Sequence, residues 1–223
     1  QLNMDGWGAN EKYPHALGEP ATSINRWYLK MKSELMPYAY SIAKEAVDGK
    51  PMIRAMFLEY PNQYTYGKAT EYQFMYGPYF LVAPIYQETQ ADEKGNDIRD
   101  GIYLPEGTWV NLLTGQTVTG GCWQKETHDY FSLPLMVRPG SVIAVGANSE
   151  KPDYDYAEGV KFLLYLPEAG MEAASAVTDL SGKTVMTACA RREGNRISLS
   201  VNGGNGNYTY EVLGKELLSV VCG

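Results

Sequence analysis

The sequence predicts a mainly β protein in which an N-terminal helical segment is followed by two antiparallel β-sandwich domains. Residues 22–47 repeat apolar side chains at three- and four-residue steps, which is the spacing of one helix face. After residue 51, short apolar runs alternate with Gly- and Pro-containing turn signals, a pattern typical of sandwiches and barrels. The polar stretch 147–159 has no periodicity and separates these runs into two groups. We therefore expect three units, at residues 1–50, 51–146 and 147–223.

The helical segment has a start signal, a stop signal and one interruption. Thr22 and Ser23 can accept the first free backbone N–H groups, which predicts that the helix starts there. Asp48 and Gly49 supply the stop, because glycine readily adopts the left-handed conformation. Pro37 removes one backbone hydrogen bond and clashes with the preceding turn, at a cost of roughly 3 kcal/mol. We therefore expect a kink, or two helices of which Pro37 opens the second.

The apolar face of this segment is broad and rich in aromatic side chains. Such a face must be covered by something large, and residues 1–20 are too few and too loop-like to do so. This mismatch indicates that the chain is a piece of a longer protein. The residues on the face are Ile24, Trp27, Tyr28, Met31, Leu35, Tyr38, Ile42 and Ala46.

The remaining chain reads as strands and turns. Residues 52–60 predict a buried strand, Gly77-Pro78 a turn between two strands, and the charged residues 87–100 a solvated loop. Further turns are predicted at Pro105–Gly107, Thr114-Gly115, Pro139-Gly140, Leu180–Gly182 and Glu193–Asn195.

Composition limits the possible functions. The chain has 223 residues and a net charge of −7 without a Lys/Arg cluster, which argues against nucleic-acid binding. No apolar run reaches the ~18 residues that a membrane helix needs. Its three cysteines, Cys122, Cys189 and Cys222, are widely separated and lack the spacing of a zinc site, so we expect unpaired, buried thiols and no metal or cofactor.

Motifs of catalysis are also missing from the sequence. It contains no G-x-S-x-G, no phosphate-binding glycine loop and no H-E-x-x-H. His128-Asp129 resembles a dyad, but adjacent strand residues point to opposite faces. Carboxylates could act in pairs on a glycosidic bond, yet no pair stands out among the candidates Asp5, Glu19, Glu34, Glu45, Asp48, Glu59 and Asp129.

The order of several segments resembles the C-terminal part of glycoside hydrolase family 31. The segments are RWYLKMKSELMPYAYSIAKEAVDGKPMIRAMFLEYP, YQFMYGPYFLVAPIY, IYLPEGTWVNLLTG and PLMVRPGSVIAV. They cover about residues 20–146 in the order that the family has, whereas residues 147–223 carry no signature of it.

This resemblance implies a retaining α-glycosidase whose catalytic (β/α)8 barrel precedes the chain. The helical segment would be a remnant of that barrel, its last helix, and the missing catalytic part would cover the apolar face. Both catalytic aspartates of the family would lie upstream, so no catalytic residue is expected here and the fragment alone should be inactive. Substrates would be sugars with terminal α-linked glucose, xylose, galactose or N-acetylgalactosamine.

The resemblance also places the first residues near the substrate. Gln1-Leu2-Asn3 stands where the family has an R-x-H segment at the carboxyl end of a late barrel strand. Gln1 and Asn3 lie two apart on an extended segment and would point the same way, with Asp5 and Trp7 close behind. We predict that these four residues contact the sugar.

An alternative interpretation is a free-standing carbohydrate-binding or adhesion module. Such a module would need an exposed aromatic platform, and the candidates are Trp109, Trp123 and Tyr130. A purely structural domain would explain the strands but not the ordered motifs. The family pattern uses the segment around Trp109 as scaffold, which favours a structural role for that residue.

Overall fold

A computed structural model describes residues 13, 15–86, 90–214 and 218–223. Two consecutive helices come first, α1 (Ala21–Glu34) and α2 (Met36–Val47), separated only by Leu35. Pro37 lies in the first turn of α2, where its missing N–H breaks no helical hydrogen bond. The predicted interruption is therefore confirmed as two helices.

The ends of this helical segment follow the sequence signals in part. α1 begins at Ala21 after Pro20, so the predicted cap by Thr22 and Ser23 is wrong. The Glu19 carboxylate accepts hydrogen bonds from the Ser23 amide (3.3 Å) and hydroxyl (2.6 Å) instead, because its longer side chain reaches forward over the first turn. At the other end α2 stops as predicted, and Gly49 has a φ of +89°.

Residues 52–60 form a short strand and one helical turn, not the continuous buried strand that was predicted. β1 covers Ile53–Ala55 and α3 covers Met56–Glu59. Arg54 and Met56 are buried, whereas Phe57 and Leu58 are exposed. Arg54 is thus a buried cation in a segment whose apolar sequence predicts a buried strand.

A six-stranded antiparallel sheet follows, with β1 at one edge. Its other strands are β2 (Phe74–Tyr76), β3 (Phe80–Val82), β6 (Thr108–Asn111), β7 (Thr117–Thr119) and β9 (Leu135–Val137). The strand order is β1-β2-β3-β9-β6-β7. The predicted turn between β2 and β3 is confirmed, with Gly77 at φ +60°.

A smaller sheet consists of β4 (Gln90–Ala91), β5 (Asp97–Leu104) and β8 (Cys122–His128), of which β4 and the start of β5 lie in the stretch 87–100 that was predicted as a solvated loop. That prediction is wrong for residues 90–100, which form a hairpin. The Asp92 carboxylate closes the turn by accepting hydrogen bonds from the amides of Lys94 (2.9 Å) and Asn96 (2.8 Å).

The last third of the chain contains two further sheets. Their strands are β10 (Ser141–Val145), β11 (Lys161–Tyr165), β12 (Glu172–Thr178), β13 (Thr184–Glu193), β14 (Arg196–Gly203), β15 (Thr209–Val212) and β16 (Ser219–Cys222). The strand orders are β10-β11-β15 and β12-β13-β14-β16. The pairs β11–β15 and β14–β16 are parallel, unlike the all-antiparallel expectation. The hairpin turns predicted between β12 and β13 and between β13 and β14 are confirmed.

The core joins these sheets to α2. Tyr38 and Ile42 pack in one buried cluster with side chains of β9, β10 and β11, and the Tyr38 hydroxyl donates to the Tyr76 carbonyl at 2.7 Å. Because β10 pairs with β11 across the polar stretch 147–159, the two groups of strands share a sheet. The protein is mainly β, with helices at its N-terminal end.

Candidate functional site

The four residues predicted to touch substrate lie outside the described part of the chain. Gln1, Asn3, Asp5 and Trp7 therefore remain a prediction without a described geometry.

One cavity lies beside α1, and its lining residue His15 is close in sequence to these four residues. It has a volume of about 540 Å³, and Lys30 and Glu150, which form an ion pair, are part of its wall. The Lys30 ammonium lowers the pKa of the Glu150 carboxyl below its usual value by hydrogen bonding and by its charge. His15 and Arg26 add further polar groups to the wall, beside the apolar side chains of Leu29 and Met36.

Large apolar side chains of α1, of the end of α2, of β1 and of α3 are exposed. No side chain of α1 is buried by the part of the chain that the structure describes, although the sequence gives this helix a broad apolar face. Tyr28 is tied to the β-sheet part through its hydroxyl, which donates to the Phe131 carbonyl at 2.9 Å. Partial burial and the Asp129 charge raise the pKa of Tyr28. Exposed residues of this region, with their exposed fractions, are Trp27 (45%), Leu29 (36%), Val47 (87%), Ile53 (54%), Phe57 (45%) and Leu58 (55%), which we call the N-terminal apolar surface.

Two of the candidate carboxylates, Glu45 and Glu59, hold an arginine in place. Arg54 is buried, and its guanidinium donates to Glu59, to Glu45 at 3.4 Å and to the Pro51 carbonyl at 2.7 Å. Arg138 lies 3.8 Å from Glu59 and above the Tyr60 ring. These carboxylates join α2 to β1 and α3, and this arrangement is structural.

His128 and Asp129 do not form a direct dyad. The buried His128 ring lies 3.0 Å from the Glu126 carboxylate through Nε2 and 3.1 Å from the Ser132 hydroxyl through Nδ1. Asp129 accepts from the Ser132 hydroxyl at 3.0 Å and from the Phe131 amide at 2.9 Å. The group fixes the turn after β8, the turn whose Phe131 carbonyl binds Tyr28 of α1.

The aromatic candidates separate into one core residue and two surface residues. Trp109 is fully buried and its indole donates to the Pro105 carbonyl at 2.8 Å, which confirms the scaffold interpretation. Trp123 and Tyr130 are exposed. Sequence reasoning missed Tyr64 and Tyr103, whose rings lie against Trp123.

The cysteines differ from expectation in their surroundings. All three are free thiols, but Cys122 and Cys222 are exposed, so the prediction of buried thiols is wrong. Both lie on edge or terminal segments where little of the chain covers them. No three His, Cys, Asp or Glu side chains among the described residues are close enough to hold a metal ion. No helix in that part of the chain is long and apolar enough to cross a membrane.

The described architecture has known relatives. Residues 49–143 match the glycosyl hydrolase family 31 C-terminal domain, and residues 155–223 match the C-terminal domain of alpha-xylosidase YicI. Both matches are to C-terminal domains of glycosyl hydrolases, and together they cover most of the chain.

Curated relatives give the same result over most of the chain. Alpha-xylosidase XylQ of Lactiplantibacillus pentosus is 32% identical over 207 residues, which are 90% of this chain and 26% of that protein. Alpha-glucosidase 2 of Bacillus thermoamyloliquefaciens is 32% identical over 66% of this chain and 18% of its own length. The chain belongs to glycoside hydrolase family 31, and it spans about a quarter or less of the length of these relatives.

Solved structures agree on the fold. The GH31 dextranase of Flavobacterium johnsoniae, complexed with glucose, is 26% identical with a TM-score of 0.71, over 85% of this chain and 24% of that chain. The GH31 alpha-xylosidase of Xanthomonas citri is 20% identical with a TM-score of 0.69, over 91% of this chain, and shows the fold alone.

Proposed function

We propose that this chain is the C-terminal part of a retaining α-glycosidase, and that residues preceding it in the complete protein form the catalytic (β/α)8 barrel. In this proposal α1 and α2 together take the place of the last helix of the barrel. Hydrolysis of a terminal α-linked sugar then depends on two aspartates upstream, because retaining chemistry needs a carboxylate pair about 5 Å apart.

The N-terminal apolar surface is the observation that carries the proposal. Monomeric proteins rarely leave a large group of apolar side chains exposed, and such groups mark interaction sites. Trp27 and Val47 belong to the very helices that resemble the end of the barrel. Their exposure is explained if the barrel covers them.

The β-sheet part would support the barrel as two sandwich domains. The interval between the two family matches, residues 144–154, supports a boundary near residue 146. In this proposal, residues 1–50 complete the barrel, residues 51–146 form the proximal domain and residues 147–223 form the distal one. The antiparallel pairing of β10 with β11 would then join the two domains.

Substrate contact would come from the first residues. Gln1 and Asn3 supply amide groups for sugar hydroxyls, and Asp5 and Trp7 add a carboxylate and an aromatic face. The alpha-xylosidase and alpha-glucosidase relatives support an α-linked xyloside or glucoside as the substrate. Amides in place of the family's Arg and His also permit galactose or N-acetylgalactosamine.

The isolated chain should hydrolyse nothing. Three of its described carboxylates have structural partners, since Glu19 binds Ser23, Glu59 binds Arg54 and Asp129 binds Ser132, and in this proposal the nucleophile and the acid both lie upstream. The test is incubation with nitrophenyl α-glycosides of glucose, xylose, galactose and N-acetylgalactosamine. Turnover that follows the chain through purification would overturn the assignment of catalysis to the upstream part.

The substrate loop is tested in the complete protein. Asn3→Ala should lower kcat/KM about tenfold, equal to ~1.4 kcal/mol of transition-state binding, with the Tm nearly unchanged. Unaltered kinetics would remove this loop from the site. A drop in Tm of the same size as an Ala substitution in the core would show that Asn3 is scaffold.

A further inference from the structure

We infer that Tyr64, Tyr103 and Trp123 form a second, non-catalytic carbohydrate site on the outer face of the β4-β5-β8 sheet. The ligand class is a neutral pyranose at the end of an α-linked oligosaccharide. The choice of this ligand class rests on the proposed function, whereas the site itself rests on the geometry of the three rings.

The three rings form an open corner. The ring centroids of Tyr64 and Trp123 lie 6.2 Å apart and the two ring planes make an angle of 87°, so the rings are nearly perpendicular. Tyr103 lies 5.2 Å from Tyr64 and 5.3 Å from Trp123 and is almost fully buried beneath them. The exposed fractions of Tyr64 and Trp123 are 43% and 41%, which leaves both outer rings available to a ligand. A pyranose can place its C–H face on one ring and an edge against the other.

The corner is fixed before any ligand arrives. Tyr103 pairs with Trp123 across the β5–β8 ladder, which sets the spacing of those two rings. The Asn62 side chain donates to the Tyr103 hydroxyl at 3.2 Å and accepts from the Tyr64 amide at 2.9 Å. The buried Thr65 hydroxyl donates to the Tyr60 carbonyl at 2.6 Å and so anchors the same turn. Because little conformational entropy is left to lose, a weak stacking contact can become a usable binding site.

The size of the corner favours a single sugar over a protein partner. An aromatic side chain has a surface of about 150–250 Å², so the two exposed rings offer on the order of 200 Å² in all. A stable protein interface needs about 800 Å² from each partner. The tyrosine hydroxyl and indole N–H at the ring edges can bind sugar hydroxyls, as a ligand with one apolar face and polar edges requires.

Titration of this chain with isomaltotriose and maltotetraose tests the inference. The chain has four tryptophans, so the 15N–1H spectrum should contain four indole signals, and Trp123→Phe assigns one of them. We expect the Trp123 indole signal to shift with a saturable dependence on sugar concentration, while the Trp27 signal stays in place. Tyr64→Ala and Trp123→Ala should each weaken binding about tenfold or more, as for loss of a central aromatic contact. The matched control is Tyr210→Ala, an equally exposed tyrosine (43%) on β15, which should bind unchanged.

Several results would overturn the inference. One is the absence of a saturable shift at Trp123. Another is an equal loss of binding in Tyr210→Ala, and a third is a shift of Trp123 with protein concentration alone, which indicates a second copy of the chain. If Trp123→Ala does not fold, Tyr64→Ala gives the answer, and Tyr64→Phe is its control because it keeps the ring and should retain binding. If the chain binds sugar at Trp123 but the complete protein has no glycosidase activity, only the proposed function is refuted. If the complete protein is an active glycosidase but no sugar binds at Trp123, only this site is refuted.

Discussion

Replacement of Arg54 by alanine should destabilise the protein far more than replacement of an exposed charged side chain. The guanidinium side chain is 9% exposed and binds Glu59, Glu45 and the Pro51 carbonyl. Removal of one member of a buried ion pair costs about 3–5 kcal/mol, because the remaining charge is left without compensation. Arg138 still lies 3.8 Å from Glu59, and the Glu45 side chain is 43% exposed, so both carboxylates keep partial compensation. We therefore expect the lower end, about 3 kcal/mol.

The assay for Arg54→Ala is urea unfolding followed by circular dichroism, together with the thermal midpoint. About 3 kcal/mol corresponds to a fall in Tm of roughly 6–12 °C for a protein of this size. Lys161→Ala is the matched control, since Lys161 and Glu211 form an exposed pair at 3.2 Å. Such pairs contribute about 0–1 kcal/mol. If Arg54→Ala costs no more than Lys161→Ala, then Arg54 does not join α2 to β1 and α3 as described.

Two further substitutions test other parts of the fold. In Tyr60→Phe, loss of a buried hydroxyl that has no hydrogen-bond partner among the described residues should raise the free energy of unfolding by about 1 kcal/mol at neutral pH. Burial raises the pKa of Tyr60 to about 12, so the unfolded state ionises first and the wild type should lose stability as the pH rises from about 10 to about 12. In urea titrations over that pH range, Tyr60→Phe should lose less stability than the wild type. Equal losses would contradict the assignment. Gly77→Ala should cost at least about 2 kcal/mol more than Gly115→Ala. Both glycines have positive φ, but an added Cβ at Gly77 would come close to the Tyr38 hydroxyl, whereas an added Cβ at Gly115 would have nothing within 4 Å. Equal unfolding midpoints of the two variants would refute that packing.

The sequence was most informative where local chemistry decides the structure. Pro37 cannot continue a helix without losing a hydrogen bond, and it marks the start of α2. Gly77 and Gly49 adopt the left-handed conformations that their turn and stop require. Such effects act within a few residues and need no knowledge of the rest of the chain.

Long-range contacts were beyond the sequence signals. Arg54 lies in an apolar run that predicts a strand, and its burial there is compensated by the Glu45 and Glu59 carboxylates and the Pro51 carbonyl. The parallel pairs β11–β15 and β14–β16 join strands far apart along the chain, whereas turn signals specify only neighbouring hairpins. Tyr64 joins Tyr103 and Trp123 through a loop, so no periodic pattern connects it with them.

The central claim is that this chain completes a glycosidase whose barrel lies upstream. The most direct measurement is to express the polypeptide encoded upstream of Gln1 separately, mix it with this chain and follow hydrolysis of nitrophenyl α-xyloside and α-glucoside. We predict that the two parts co-purify and that activity appears only in the mixture. Trp27→Lys on the N-terminal apolar surface should abolish both effects, while Tyr210→Lys, with a similarly exposed ring on β15, should not. An upstream sequence without a barrel, or activity of the upstream part that does not depend on this chain, would contradict the account.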